Sequence, residues 1–88
     1  MREALYNKDF SIVFNQLLGK ASISCYRIGE FSNIDQGYLS RLRNGTKSNP
    51  GPETVMKISL ALAHCSGKIT ISDIERLFNS VGRSVRIN

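Results

Sequence analysis

From Phe10 onward the apolar residues fall at 10, 13, 14, 17 and 18, the i, i+3, i+4, i+7, i+8 spacing of one face of an α-helix. This predicts a first helix, capped by Asn7 or Asp9 and ending near Gly19, because glycine readily takes the left-handed conformation needed just past a helix end. A second, short helix begins after Ser24, whose hydroxyl suits an N-cap, and runs through Phe31 with Ile28 and Phe31 turned inward. Ser32-Asn33 breaks the pattern. Asp35 is the next good N-cap, and the residues from Gln36 to Leu42 form a third helix with Leu39 and Leu42 on its inner side. Two short helices joined by about three residues, with Asn where the chain turns sharply, match helix-turn-helix geometry.

The stretch Arg43 to Gly51 is rich in turn formers and reads as a loop. Pro52 sits where a first helical residue belongs, and Glu53 places negative charge at the positive end of the helix dipole. The fourth helix that follows is expected to bury Val55, Ile58 and Leu62, together with Met56 and Leu60, and to end at Ser66-Gly67-Lys68. For the fifth helix two starts compete. Ser72 with Glu75 makes a capping-box pattern, whereas Ile69 and Ile74 around Thr70 make a hydrophobic staple. Its buried stripe is Ile74, Leu77, Phe78 and Val81, and after Gly82 the alternation Ser84-Val85-Arg86-Ile87 suggests a short strand. The expected architecture is all-α: one five-helix domain over residues 1–88, with a short C-terminal strand, and with 66–88 forming a terminal helix and tail suited to dimerisation. Repeats, low-complexity tracts and interdomain linkers are not found.

Composition narrows the function. A chain of 88 residues closes one small core and has little left to wall in a deep cleft, which disfavours a self-contained enzyme on a large substrate. Twelve Lys and Arg against seven Asp and Glu leave a net charge of +5, so an anionic partner is the first to consider. Cys25 and Cys65 are too few and too far apart for a disulfide scaffold, which fits a reducing compartment. The charged N-terminus has no signal-peptide core and no stretch is long and apolar enough to span a membrane, so the expected protein is soluble and cytoplasmic with its N-terminus retained.

The run Ile23-Ser24-Cys25-Tyr26-Arg27-Ile28-Gly29-Glu30-Phe31-Ser32-Asn33-Ile34-Asp35-Gln36-Gly37-Tyr38-Leu39-Ser40-Arg41-Leu42-Arg43-Asn44-Gly45, then Pro50 and a Leu-containing helix, resembles the Cro and phage-repressor type of helix-turn-helix domain, the XRE-like or lambda-repressor-like family. The match covers residues 23–62 without a gap. Gly29 falls where that family has a very small residue at the crossing of the second and third helices, and Asn33 holds the turn position usually given to Gly. Ile28, Ile34, Leu39 and Leu42 occupy the apolar positions that lock the pair, and Asn44-Gly45 ends the recognition helix. The resemblance implies that the third helix enters the DNA major groove and presents Gln36, Gly37, Ser40 and Arg41 to base edges, Gln36 suited to adenine and Arg41 to guanine. Phosphate contacts are implied for Ser24, Cys25, Arg27, Tyr38, Arg43, Asn44 and Lys47, with Lys20 behind them. Between Gln36 and Pro52 stand three basic residues and no acidic one. Three positions depart from the family pattern. Cys25 replaces a Gln or Thr that often touches phosphate, Arg27 replaces a common Glu, and Arg43 replaces another near the end of the third helix.

These features point to a small dimeric regulator, a repressor, that binds double-stranded DNA and performs no chemistry. The alternative is an antitoxin-type module on the same fold that binds a toxin or other partner protein through its C-terminal segment. A metal site is disfavoured because Cys25, His64 and Cys65 lack paired zinc-finger spacing, and no cofactor is expected. One histidine and scattered serines and carboxylates assemble no nucleophile, base and orienter.

Overall fold

The computed structural model describes residues 9–81, and within them the chain is all-helical: α1 (Asp9–Ala21), α2 (Cys25–Ser32), α3 (Gln36–Asn44), α4 (Pro52–Cys65) and α5 (Ile71–Asn79). The strand expected over Ser84–Ile87 and the cap expected from Asn7 lie outside the described residues. Helices α2 and α3 are 8 and 9 residues long, too short to persist alone in water, so tertiary packing must hold them. They pack on each other, α2 also on α4 and α3 also on α1, while α5 closes the domain against α1 and α4. One cluster forms the core: Phe10, Phe14 and Leu17 from α1, Ile28 from α2, Leu39 and Leu42 from α3, Val55, Ile58 and Leu62 from α4, and Leu77 from α5. Phe10 and Phe14 stack at 5.6 Å between ring centroids, one turn apart on the inner face of α1.

Helix ends follow side-chain chemistry. Ser24 accepts a hydrogen bond from the Arg27 N–H, Asp35 accepts one from the Tyr38 N–H, and Pro52 opens α4, as their residue types predict. Asn33 takes the left-handed conformation at φ 66° and lets its N–H reach the Gly29 carbonyl, so the sharp α2–α3 turn falls where the sequence places it. For α5 the Thr70 start is the one adopted. Thr70 and Asp73 form a reciprocal capping box, and the Ser72–Glu75 alternative does not open the helix. Asp73 is also the residue that Lys20 of α1 reaches, at 2.6 Å, which favours the Thr70 register.

Several expectations are corrected. Helix α1 does not stop at Gly19 but continues to Ala21. Ile23 donates to the Leu18 carbonyl and Ser22 to that of Gly19, a Schellman pair with Ser22 left-handed at φ 57°. The helix therefore ends where Ile23 can pack against the core, not at the nearest glycine. Helix α3 takes in Arg43 and Asn44, the first residues of the predicted loop. Phe31 is not inward: α2 buries only Ile28 and Gly29, and the Phe31 ring instead meets His64 edge-on at 4.1 Å. Met56 and Leu60 are exposed, because the stripe Val55, Ile58, Ser59 and Leu62 already fills the inner side of α4. In α5, Leu77 and the following Val81 are buried while Ile74 and Phe78 are only half-buried.

Candidate nucleic-acid interface

Helix α3 rests on Leu39 and Leu42, both fully buried, and this fixes which residues face outward. Gln36, Gly37, Ser40 and Arg41 are all exposed on its outer side, with Arg43 and Asn44 exposed at its end. Tyr38 is half-buried and packs against the core, so its contribution to an outer surface is partial. Lys47 is exposed in the following loop, and its N–H bonds back to the Arg41 carbonyl at 3.1 Å, folding the loop against the end of α3. Gly45, left-handed at φ 88°, makes that reversal possible.

Gln36 is not a free side chain. Its Nε2 donates to the Tyr26 carbonyl at 3.0 Å, and the amide lies over Gly29. A Cβ at position 29 would meet Gln36 Nε2 at 2.0 Å and Cδ at 2.7 Å. The smallness of residue 29 thus makes room for a side chain of α3, where the sequence reading expected close approach of the two helices. One N–H and the Oε1 of the Gln36 amide are not used by the Tyr26 bond, and these are the two groups a bidentate contact with adenine requires. Gly37 also leaves space that is used: a Cβ there would lie 3.0 Å from the Asp35 carboxylate and 3.8 Å from Arg41 Nη1, so the guanidinium folds back over the start of α3.

The far end of α3 is held by α1. Ser11 donates to the Arg43 carbonyl at 2.7 Å, Asn15 Nδ2 donates to the same oxygen at 2.9 Å, and Arg43 Nε donates to Asn15 Oδ1 at 3.2 Å. Two side chains thus satisfy one of the carbonyls that every helix leaves open at its C-terminus. They also place the Arg43 guanidinium beside a shallow groove of about 340 Å³ lined by Asn15, Ser40, Arg43 and Asn44. Asn44 Oδ1 accepts from the Thr46 N–H and hydroxyl, which shapes the turn and leaves its amide N–H groups as donors.

At the start of α2 the geometry of any helix N-terminus leaves the first N–H groups, those of Cys25 and Tyr26, to find acceptors outside the helix. Arg27 is exposed in the same first turn and contributes a cation. Cys25 is half-buried against the core. Burial pushes its thiol up from the ordinary value and the nearby Arg43 charge opposes this, so the side chain offers only a weak S–H donor and the backbone N–H is the stronger one there. Lys20 is turned away from this face: it is committed to Asp73.

Sequence reasoning missed Tyr26, whose carbonyl holds Gln36, and the pair Ser11 and Asn15. The only sequence signal for the pair is its i, i+4 spacing on the polar side of α1, which says that the two share a face but not what they meet. His64, near the end of α4, is the partner of the Phe31 ring. Among the described residues no group of three or more His, Cys, Asp or Glu side chains could hold a metal, and no helix is long and apolar enough to cross a membrane. No family model, curated protein or solved structure matches this chain.

Proposed function

We propose that this chain binds double-stranded DNA as a small, dimeric, cytoplasmic transcriptional repressor of the Cro and phage-repressor type, reading the major groove with α3 and acting by occupancy without chemistry. One observation carries the reading. The residues of α3 suited to base edges, Gln36, Ser40 and Arg41, are exposed together on one side while Leu39 and Leu42 beneath them are fully buried. Along the chain from Gln36 to Gly51 stand Arg41, Arg43 and Lys47 and no acidic residue, an excess that outweighs the Asp35 carboxylate at the start of α3 and favours phosphate contacts. Gln36 and Arg41 are assigned to direct readout. Ser24, Cys25 through its backbone, Arg27, Arg43, Asn44 and Lys47 are assigned to the phosphates.

The test is selection of bound oligonucleotides from a random pool, followed by titration of the winner and of scrambled DNA at about 50 and about 200 mM salt. A regulator yields a consensus site, binds scrambled DNA far more weakly, and loses affinity to both as salt rises. Absence of binding at either salt would move the assignment to the alternative, an antitoxin-type module that engages a protein partner.

A further inference from the structure

From Ser32 to Pro52 the chain has a single acidic residue, Asp35, and it stands exposed at the start of α3 beside the side chains assigned to base edges. Its Oδ2 accepts from the Tyr38 N–H at 3.0 Å and caps the helix. Asn and Ser cap about as well as Asp, so the cap alone does not call for a charge. A carboxylate on a surface that meets phosphates weakens binding by repulsion, and the cap chemistry leaves that cost unexplained.

The space above Gly37 supplies the explanation. A Cβ there would stand 3.0 Å from Asp35 Oδ2 and 3.8 Å from Arg41 Nη1, so the two groups flank one bare spot on the outer side of α3. Arg41 reaches it from the i+4 position of the same helix face. Among the described residues neither Asp35 nor Arg41 enters an ion pair, and Asp35 Oδ1 accepts from no group. An acceptor and a set of donors are thus held side by side, both unspent.

We infer that Asp35 and Arg41 together read one C·G base pair, Arg41 donating to guanine O6 and N7 while Asp35 Oδ1 accepts from cytosine N4. In the major groove this pair presents two acceptors on guanine beside one donor on cytosine, the complement of the guanidinium and the carboxylate. Thymine or guanine in place of the cytosine turns an acceptor toward Asp35 and is repelled. Adenine there offers a donor, but its thymine partner takes from Arg41 the bidentate contact that guanine accepts. The carboxylate therefore acts as a specificity-determining group: it lowers affinity for DNA at large and is matched at one kind of base pair. This inference rests on the DNA reading and adds to it a residue and a base pair.

Selection of bound oligonucleotides by the wild-type chain and by Asp35→Asn, Asp35→Ser and Arg41→Ala tests it, with circular dichroism to check each fold. The wild-type consensus is expected to hold a C·G pair that Arg41→Ala relaxes. Both Asp35 variants should relax the same pair, reducing discrimination against T·A there about tenfold, while the rest of the consensus stays and binding to scrambled DNA strengthens. An unchanged consensus, relaxation at a different pair from that of Arg41→Ala, or an equal loss on all sequences would each overturn the inference. Unfolding of both Asp35 variants would overturn it too, by showing that the cap needs the charge. A wild-type chain that selects no consensus is a separate result: it ends the DNA reading itself, and the base-pair assignment with it.

Discussion

The contact between Gly29 and Gln36 can be tested without any DNA. Replacing a helical glycine by alanine is ordinarily worth about 1 kcal/mol in stability, because alanine loses less backbone entropy on folding. At Gly29 the added Cβ would stand 2.0 Å from Gln36 Nε2, a distance no structure tolerates, so the amide must leave and its bond to the Tyr26 carbonyl breaks. Losing one such hydrogen bond costs about 0.5 to 1.5 kcal/mol net. The two effects are of equal size and opposite sign, and Gly29→Ala in the wild-type chain should leave stability nearly unchanged. In the background of Gln36→Ala the side chain that blocks the Cβ is gone, and the full gain returns. The three atoms nearest the new Cβ all belong to Gln36, so nothing closer remains to collide.

Urea unfolding of the four chains of this cycle measures the coupling directly, with an expected value of about 1 kcal/mol between the two sites. Gly29→Ala should raise the melting temperature by about 4 to 8 °C in the Gln36→Ala chain and hardly at all in the wild type. Equal stabilisation in both backgrounds would refute the reasoning, because it would mean that the amide does not rest on Gly29. On a selected DNA site, Gly29→Ala should abolish discrimination at the base that Gln36 reads, worth about 1 to 3 kcal/mol, although Gln36 is still present.

Three further outcomes are expected. The Asp73 carboxyl is held below the usual range, first by the hydrogen bond from Lys20 and then by those from Thr70, so the folded state binds its proton less readily than the unfolded chain. Its contribution is complete above the unfolded value of about 3.8 and is lost as pH falls through the lower folded value; urea midpoints from neutral pH down to about pH 2 should show this loss, and Asp73→Asn should flatten it. Ser22→Gly removes a side chain from the left-handed region and should stabilise the fold by about 1 kcal/mol, read as a higher melting temperature. On a selected site Arg41→Ala should cost about 1 to 3 kcal/mol and relax one base position, whereas Lys47→Ala should weaken all sequences alike and reduce the salt slope by about 1.

What could be read from the sequence was what local chemistry decides. Ser24 and Asp35 start helices because each accepts from a backbone N–H three residues on, Pro52 because its fixed φ suits a first turn where its missing N–H is not needed, and Asn33 turns the chain because few other side chains tolerate its conformation. Leu39 and Leu42 had only one side available once the helix was placed. Where the outcome depended on a distant neighbour, pattern alone misled. Phe31, Met56 and Leu60 are as apolar as the residues beside them, and only the packing of α4 against α1, α2 and α5 determines that the inner places are already taken. Gln36 could be assigned to the outer side of α3, but its attachment to Tyr26 spans ten residues and a turn. The hold of Ser11 and Asn15 on Arg43 spans 32 and 28 residues, and their i, i+4 spacing does not say what they meet.

Those long-range contacts also explain how a domain this small can present a nine-residue helix in a defined pose. Hydrophobic burial fixes the rotation of α3 about its axis through Leu39 and Leu42, but leucine packing is non-directional and does little to set the position of the helix along that axis. Hydrogen bonds are directional, and α3 has them at both ends: Asp35 and the Gln36–Tyr26 bond at the start, and Ser11 and Asn15 on the Arg43 carbonyl at the finish. The Gln36–Tyr26 bond ties it to α2 and the Ser11 and Asn15 bonds tie it to α1, so sliding or tilting the helix breaks polar contacts at one end or the other. In the proposed DNA reading a side chain must be placed within a fraction of an ångström to pair with a base edge, and these end contacts, more than the core, would hold it there.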